Sequence, residues 1–234
     1  MQIEHFVDKA ICLNLDKRKD RWQNAKQIFE SWPIDVERMP GIDGSKLGLQ
    51  EYVDGLEWKS TAGDGSIISD RVKVGAIGCA LSQMFCFKYA KQLKLNNFLF
   101  LEDDITVKEN FLEEFDKATE QVPSDWDVLY LGGNHLFGRN LKKVNENVYR
   151  CEYTYCVHGV IFRDTVFDRY IHSLTDILTP CDVHYAESHS EINAYVICPH
   201  LIYQGNSYSD IEEAQKSSAG IWAVNNVLKS IKNV

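Results

Sequence analysis

The chain is short of positive charge, has no closely spaced cysteine pair, and has no apolar run long enough to cross a bilayer. Its 25 Lys and Arg stand against 34 Asp and Glu, a formal net charge of -9 at pH 7. That balance argues against non-specific binding to nucleic acid or to an anionic membrane, both of which rest on basic patches. An anionic small molecule stays compatible if local arginines or a metal ion screen the field. The seven cysteines (Cys12, Cys79, Cys86, Cys151, Cys156, Cys181 and Cys198) are odd in number and form no Cys-x-x-Cys. Several sit in apolar runs such as AICLNL and YVICP, so they read as small buried hydrophobes in a reducing compartment. The start, MQIEHFVDKA, has neither the basic residues nor the apolar centre of a secretory signal. No apolar stretch approaches the ~20 residues of a membrane span. The expected location is cytoplasmic, with no membrane span and no nucleic-acid partner.

What is there is ordinary for a globular protein: 234 residues, 44% hydrophobic and 25% charged, enough for one domain with a sizeable core. No repeat or linker divides it, and residues 1–234 are read as a single domain. AICLNL (10–15), the run after Pro33, NFLFLE, WDVLYLGG, YTYCVHGVIF and AYVICP read as strands. The stretch from Asp16 to Trp32, GAIGCALSQMFCFKYAKQLKL (75–95), FLEEFDKATEQV (111–122) and DTVFDRYIHSL (164–174) read as helices. Two glycines should stop the WDVLYLGG strand. Residues 43 to 74, with GDGS at 63–66, read as a loop with a helical turn or two, and the tail from Ile211 as polar and helical. This alternation predicts an α/β fold with a mostly parallel central sheet flanked by helices.

FLFLEDDIT (98–106) carries the chemistry. An apolar strand ends in three consecutive carboxylates, Glu102, Asp103 and Asp104, which repel one another unless something offsets them. In open α/β sheets ligands bind beyond the carboxyl ends of the strands. Alternate residues of an extended chain point the same way, so Glu102 and Asp104 can share a side. Two carboxylates so placed suit Mg²⁺ or Mn²⁺, hard cations that bind carboxylate and phosphate together. Two other readings fit the cluster alone. Glu102-x-Asp104-x-Thr106 has the register of an aspartyl phosphotransferase, with a glutamate one methylene too long in the nucleophile's place. Asp103 or Asp104 could also simply cap a helix beginning near residue 108.

The surroundings narrow the choice. ICLNLDKRKDRW, MPGIDG, GAIGCALSQ, FLFLEDDI, DWDVLYLGG, TPCDVH and PHLIYQGNSYSDI follow one another from about residue 10 to 211. In that order they resemble glycosyltransferase family 25, the group of lipooligosaccharide galactosyltransferases and collagen galactosyltransferase domains. The resemblance implies a GT-A-like fold, a UDP-sugar donor, Mn²⁺ or Mg²⁺, and inverting transfer of galactose or glucose to a glycan or a hydroxylysine-type protein acceptor. It departs from the family pattern at Gln83, where a histidine is usual, at Ala76, where an acid is common, and around His158. Those departures also admit a degenerate member that binds a nucleotide-sugar or glycan without transferring it.

On this reading Glu102 and Asp104 hold the metal, and Asp103 reaches the ribose or donor sugar. Asn14, Arg18 and Arg21 follow the first strand, where nucleotide and diphosphate bind, and an arginine can pair with phosphate. Asp43 and Gly44 form a turn in which Gly44 lets a ligand approach the backbone. Ser82 and Gln83, near the start of the long helix, face the donor. Asp182, in the TPCDVH loop, is the candidate base, with His184 as an acceptor or metal contact. Gln204 lines the pocket, and His200 is the candidate C-terminal metal ligand. Trp126, Tyr130, Tyr153 and Tyr155 fit core positions better than sugar platforms.

Overall fold

A computed structural model of the protein describes residues 2–53, 70–135, 141–176 and 179–205. The GDGS segment at 63–66, Ser209-Asp210-Ile211 and the tail lie outside the described residues. The strands are β1 (Ala10–Leu15), β2 (Val36–Gly41), β3 (Asn97–Glu102), β4 (Ile105–Val107), β5 (Val128–His135), β6 (Leu141–Lys143), β7 (Val148–Cys151), β8 (Thr154–Arg163), β9 (Ala194–Ile197) and β10 (Ile202–Gln204). The helices are α1 (Ile3–Phe6), α2 (Lys19–Phe29), α3 (Gln50–Val53), α4 (Asp70–Gln92), α5 (Phe111–Thr119), α6 (Phe167–Ser173) and α7 (Cys181–Ser188).

Eight strands form one sheet in the order β2-β1-β3-β8-β5-β9-β7-β6, and β10 pairs with β4 in a small ribbon. β8 runs against both β3 and β5, and β7 against β9 and β6, while the others share one direction. The expected α/β class with a mostly parallel, helix-flanked sheet is borne out. Both faces are covered. Phe98 and Phe100 of β3 enter a core with α4, α6 and α7, and Leu99 and Leu101 enter the opposite one with α1, α2 and α5. The two-residue period of a strand thus feeds two cores at once. In the first, the Phe87 ring lies 4.9 to 6.4 Å from those of Phe98, Phe162, Phe167, Tyr170 and Tyr185.

Glycines serve a purpose other than the expected one. β5 does not stop at Gly132 and Gly133 but continues to His135. A Cβ on Gly132 would stand 1.9 Å from the Ile202 carbonyl oxygen, and one on Gly159, its partner in β8, 2.8 Å from the Ile202 side chain. The bare backbone lets the last described strand, β10, cross over the sheet. Four short strands (β4, β6, β7 and β10) and two short helices (α1 and α7) were not read in the sequence, while α3 answers to a helical turn expected between residues 43 and 74. The first long helix ends at Phe29 rather than Trp32, and α4 begins at Asp70, so Ser82 and Gln83 sit in its middle and not near its start. TPCDVH is not a loop, because Asp182 lies in the first turn of α7 behind Pro180.

Candidate functional site

The carboxyl ends of β1, β2 and β3 open on one cleft. Leu13, Leu15 and Lys17 line it from β1, Arg21 from α2, Gly41 to Gly44 from the end of β2, Gly75, Cys79 and Ser82 from α4, and Glu102 to Asp104 from β3. Of the sequence candidates, Arg21, Asp43, Gly44, Ser82, Glu102, Asp103 and Asp104 are brought together here.

The acidic turn is held from several sides. Arg21 pairs with Asp103 at 3.0 Å and with Asp104 at 3.5 Å, which answers part of the repulsion without a metal. Asn14 donates to Asp103 at 2.6 Å and to the Arg18 carbonyl at 3.0 Å, and its own oxygen accepts from Arg38 Nε at 2.7 Å. Gln204 donates to Glu102 at 3.2 Å, and Gly205 N–H to the Asp104 carbonyl at 2.6 Å. Burial pushes the Asp103 carboxyl above its usual range, while Asn14 and Arg21 pull it back. Neither Asp103 nor Asp104 caps a helix: β4 follows them, and the residue capping α5 is Asn110. Arg18 turns away to pair with Asp20 at 3.0 Å and is not in the lining.

The wall opposite is a close dock between α4 and the 42–44 turn. A Cβ on Gly44 would stand 1.9 Å from the Val74 carbonyl oxygen, and one on Gly78 2.6 Å from that of Ile42. Gly44 is therefore required by the helix beside it rather than by a ligand. The Ser82 hydroxyl accepts from Ile42 N–H at 2.8 Å and donates to Gly78 O at 2.6 Å, so it too fastens the dock. Asp43 accepts from Ser45 and from Lys17 Nζ at 3.1 Å, and the Ser45 bond foremost holds its carboxyl below the usual range.

Gln83 is buried outside the lining. It donates to Cys79 Sγ at 3.3 Å and accepts from the Tyr185 hydroxyl at 2.6 Å. Asp182 is also absent from the lining. It follows Cys181, whose thiol meets that of Cys79 on the cleft wall at 3.9 Å. One Asp182 oxygen accepts from Cys156 N–H at 3.2 Å, and Cys156 holds φ of 65°, a left-handed backbone rare outside glycine.

His184 faces the Asp176 carbonyl at 3.0 Å. His200 is buried Nε2 to Nε2 against His135 at 2.9 Å, and His135 meets Thr154 Oγ1 at 2.8 Å. Burial first, then the neighbouring imidazoles, lowers the His200 ring well below its usual pKa and His135 to about 4. His158 is buried beside the bare Gly132 backbone. Trp126 and Tyr130 are core, as expected, and Tyr155 is nearly so, edge-on to half-buried Tyr153. Among the described residues no three His, Cys, Asp or Glu side chains enclose a metal by themselves.

Arg38, Lys17 and Cys79 were not singled out in the sequence. The spacing of Gly75, Cys79 and Ser82, four and then three residues apart, places them on one helix face, and that signal was available.

The family model described as "Glycosyltransferase family 25 (LPS biosynthesis protein)" matches residues 7–202. A Drosophila pseudoobscura pseudoobscura protein named "Glycosyltransferase 25 family member" is 29% identical over 133 residues, 56% of this chain and 21% of its own. Human "Procollagen galactosyltransferase 2" is 25% identical over 161 residues, 66% of this chain and 26% of its own. The chain spans about a quarter of the length of these curated relatives. A solved mannose-1-phosphate geranyltransferase from Thermus thermophilus superposes with a TM-score of 0.44 at 10% identity, covering 83% of this chain and 75% of its own, a likeness too slight to bear on chemistry.

Proposed function

The chain belongs to glycosyltransferase family 25, and we propose that its cleft binds a UDP-sugar with Mn²⁺ or Mg²⁺ and passes the hexose, with inversion, to a hydroxyl of a glycan or a hydroxylysine-type protein acceptor. The name of the human relative makes galactose the first donor to try, with glucose beside it. One observation carries the reading: Glu102 and Asp104, alternate residues at the end of one strand, line the same open cleft as Arg21. The charged lining residues are Lys17 and Arg21 against Asp43, Glu102, Asp103 and Asp104, a formal charge of -2. A diphosphate entering alone would be repelled.

The donor set fits a hard cation. Glu102 and Asp104 offer oxygens only, and Mg²⁺-type ions take one or two carboxylates and complete the shell with substrate phosphate and water. The bound cation would stabilise the departing diphosphate as a Lewis acid. The chain's own residues do the rest. Arg21 and Asn14 fix Asp103, which faces the ribose or sugar. The Asp43–Gly44 turn and Lys17 border the nucleotide end. Asp182, held by Cys156 N–H, takes the proton of the acceptor hydroxyl.

Thermal stability with UDP, UDP-galactose, UDP-glucose and UDP-N-acetylglucosamine, each with Mn²⁺ and with chelator, tests this. A Mn²⁺-dependent shift for one sugar nucleotide supports the donor site, and no shift with any of them removes it. A second reading, binding without transfer, is favoured by Gln83, which is buried between Cys79 and Tyr185 where the family carries histidine. UDP binding with no sugar release from any donor selects that reading.

A further inference from the structure

Cys79 and Cys181 meet Sγ to Sγ at 3.9 Å across the junction of α4 and α7. Cys79 lines the cleft and is partly open to solvent, while Cys181 is buried in the first turn of α7. We propose that these two thiols are a reversible modification site: they close into a disulfide that latches α7 onto the cleft wall.

Cys181 shares the first core with Cys86, Cys151 and Cys198, and Cys12 lies in the second, whereas Cys79 packs at the edge of the first core and opens on the cleft. Burial pushes the thiols of Cys86 and Cys151 up to about 12. Cys79 instead accepts a hydrogen bond from the Gln83 amide at 3.3 Å on the wall of the open cleft. The hydrogen bond with Cys79 first, then burial, raises the Cys181 thiol well above its ordinary value. Cys79, the thiol an oxidant in the cleft can reach, is therefore the attacking sulfur, and Cys181, buried behind it, the resolving one.

The fold also says which side moves. A disulfide needs its sulfurs about 2.05 Å apart, so the gap must close by roughly half. α4 has no slack, because its Val74 carbonyl lies against Gly44, its Gly78 lies against the Ile42 carbonyl and its Ser82 pins Ile42 N–H. α7 is a helix of eight residues joined to the wall through side chains. Closure draws α7 inward and carries Asp182 with it.

The chemistry is two exchanges with a disulfide oxidant, R–S–S–R. The Cys79 thiolate attacks one sulfur, forms Cys79–S–S–R and releases R–S⁻. The Cys181 thiolate then attacks the Cys79 sulfur, forms the Cys79–Cys181 bond and releases the second R–S⁻. The two protons shed by the cysteines end on the two released thiols. The protein gives up two electrons, and the oxidant's S–S bond receives them.

The test uses the full chain and cystamine, a disulfide whose ammonium ends suit the acidic cleft. The expected result is an intact mass lower by two hydrogens, a cross-linked peptide pair containing Cys79 and Cys181, and full reversal by dithiothreitol. Cys181→Ala should instead retain the mixed disulfide on Cys79. A bond mapped elsewhere, such as Cys156 to Cys181, or a mixed disulfide that persists on the unaltered chain, overturns the latch. Its effect on turnover rests on the transfer reading above. The latched protein should keep its UDP-dependent thermal shift and lose sugar transfer by about a hundredfold, the scale for a reacting group displaced by an ångström. Undiminished transfer in the latched protein overturns the coupling to Asp182. Absence of transfer in the reduced protein, with the bond mapped, fails the transferase reading alone.

Discussion

Asn14 delivers an amide hydrogen to Asp103 over 2.6 Å, while Arg38 grips the other end of the same amide. Arg21 approaches Asp103 from the far side at 3.0 Å. The middle carboxylate of the acidic turn is thus fixed by groups from β1, β2 and α2. It cannot swing away when a ligand arrives.

The Arg21 pair is largely buried, with side chains 12% and 9% exposed. Truncating one partner of such a pair costs about 3–5 kcal/mol, because the other charge is left in the interior. Arg21→Met should lose stability on that scale in urea denaturation. Adding Asp103→Asn should recover a good part of it. A loss under about 1 kcal/mol, on the scale of a surface pair, would show that Arg21 does not neutralise the turn.

Asp104→Ala removes one proposed metal ligand and one repelling charge, while Arg21 keeps Asp103. The unliganded protein should be at least as stable as the parent. Its Mn²⁺-dependent shift with the UDP-sugar should vanish. A retained shift sinks the metal assignment.

Asp182→Asn keeps an oxygen for Cys156 N–H but cannot take a proton. Donor binding should survive and transfer should fall by about a hundredfold or more. Loss of donor binding as well would make Asp182 a ligand rather than the base.

Acid should unfold this protein through its histidines. Burial foremost holds His135 at about 4, His189 at about 3 and His200 well below its usual value. Each stays neutral in the fold but takes a proton near pH 6.5 once unfolded, so stability falls as pH drops from 6.5 towards 4. Three such groups give a slope approaching roughly 4 kcal/mol per pH unit. His135→Gln should lower that slope by about a third. Asp103 acts in the opposite sense. Its raised folded pKa gives a contribution present below 3.8 and lost as pH rises through the folded value. Denaturation curves across this range check both signs, and a slope unchanged in His135→Gln would remove His135 from the account.

Cys156 stores strain, since its φ of 65° costs a side-chain-bearing residue about 1–2 kcal/mol. Cys156→Gly should be neutral to stabilising by up to about 1 kcal/mol, and Cys156→Val should destabilise. The reverse order in thermal melts would refute strain at this position.

The long elements were legible because their patterns are local. AICLNL and NFLFLE show strand length and end abruptly, and GAIGCALSQMFCFKYAKQLKL repeats at helical spacing. Gly132 and Gly133 misled, because Gly132 answers to the crossing of β10, some seventy positions on, and Gly133 to Thr154 and Tyr155 of the neighbouring β8. Asp182 was placed in a loop because TPCDVH carries turn-like residues, whereas Pro180 there starts a helix. At the site, Glu102, Asp103 and Asp104 were legible from the end of one strand, while Arg21 and Asp43 came from the family resemblance. Arg38 was not legible, since its value lies in one bond to Asn14 on the neighbouring strand. Gln83 and His200 were assigned outward roles that their burial against Tyr185 and His135 does not match.

The small ribbon of β4 and β10 has a further consequence. Gln204 and Gly205 brace Glu102 and Asp104 from behind, so the carboxylates are set by residues synthesised a hundred positions after them. A chain emerging from the ribosome holds the acidic turn long before it holds the brace. The brace on the acidic turn is among the last parts of the described fold to be made, and a fragment that ends ahead of Ile202 lacks it.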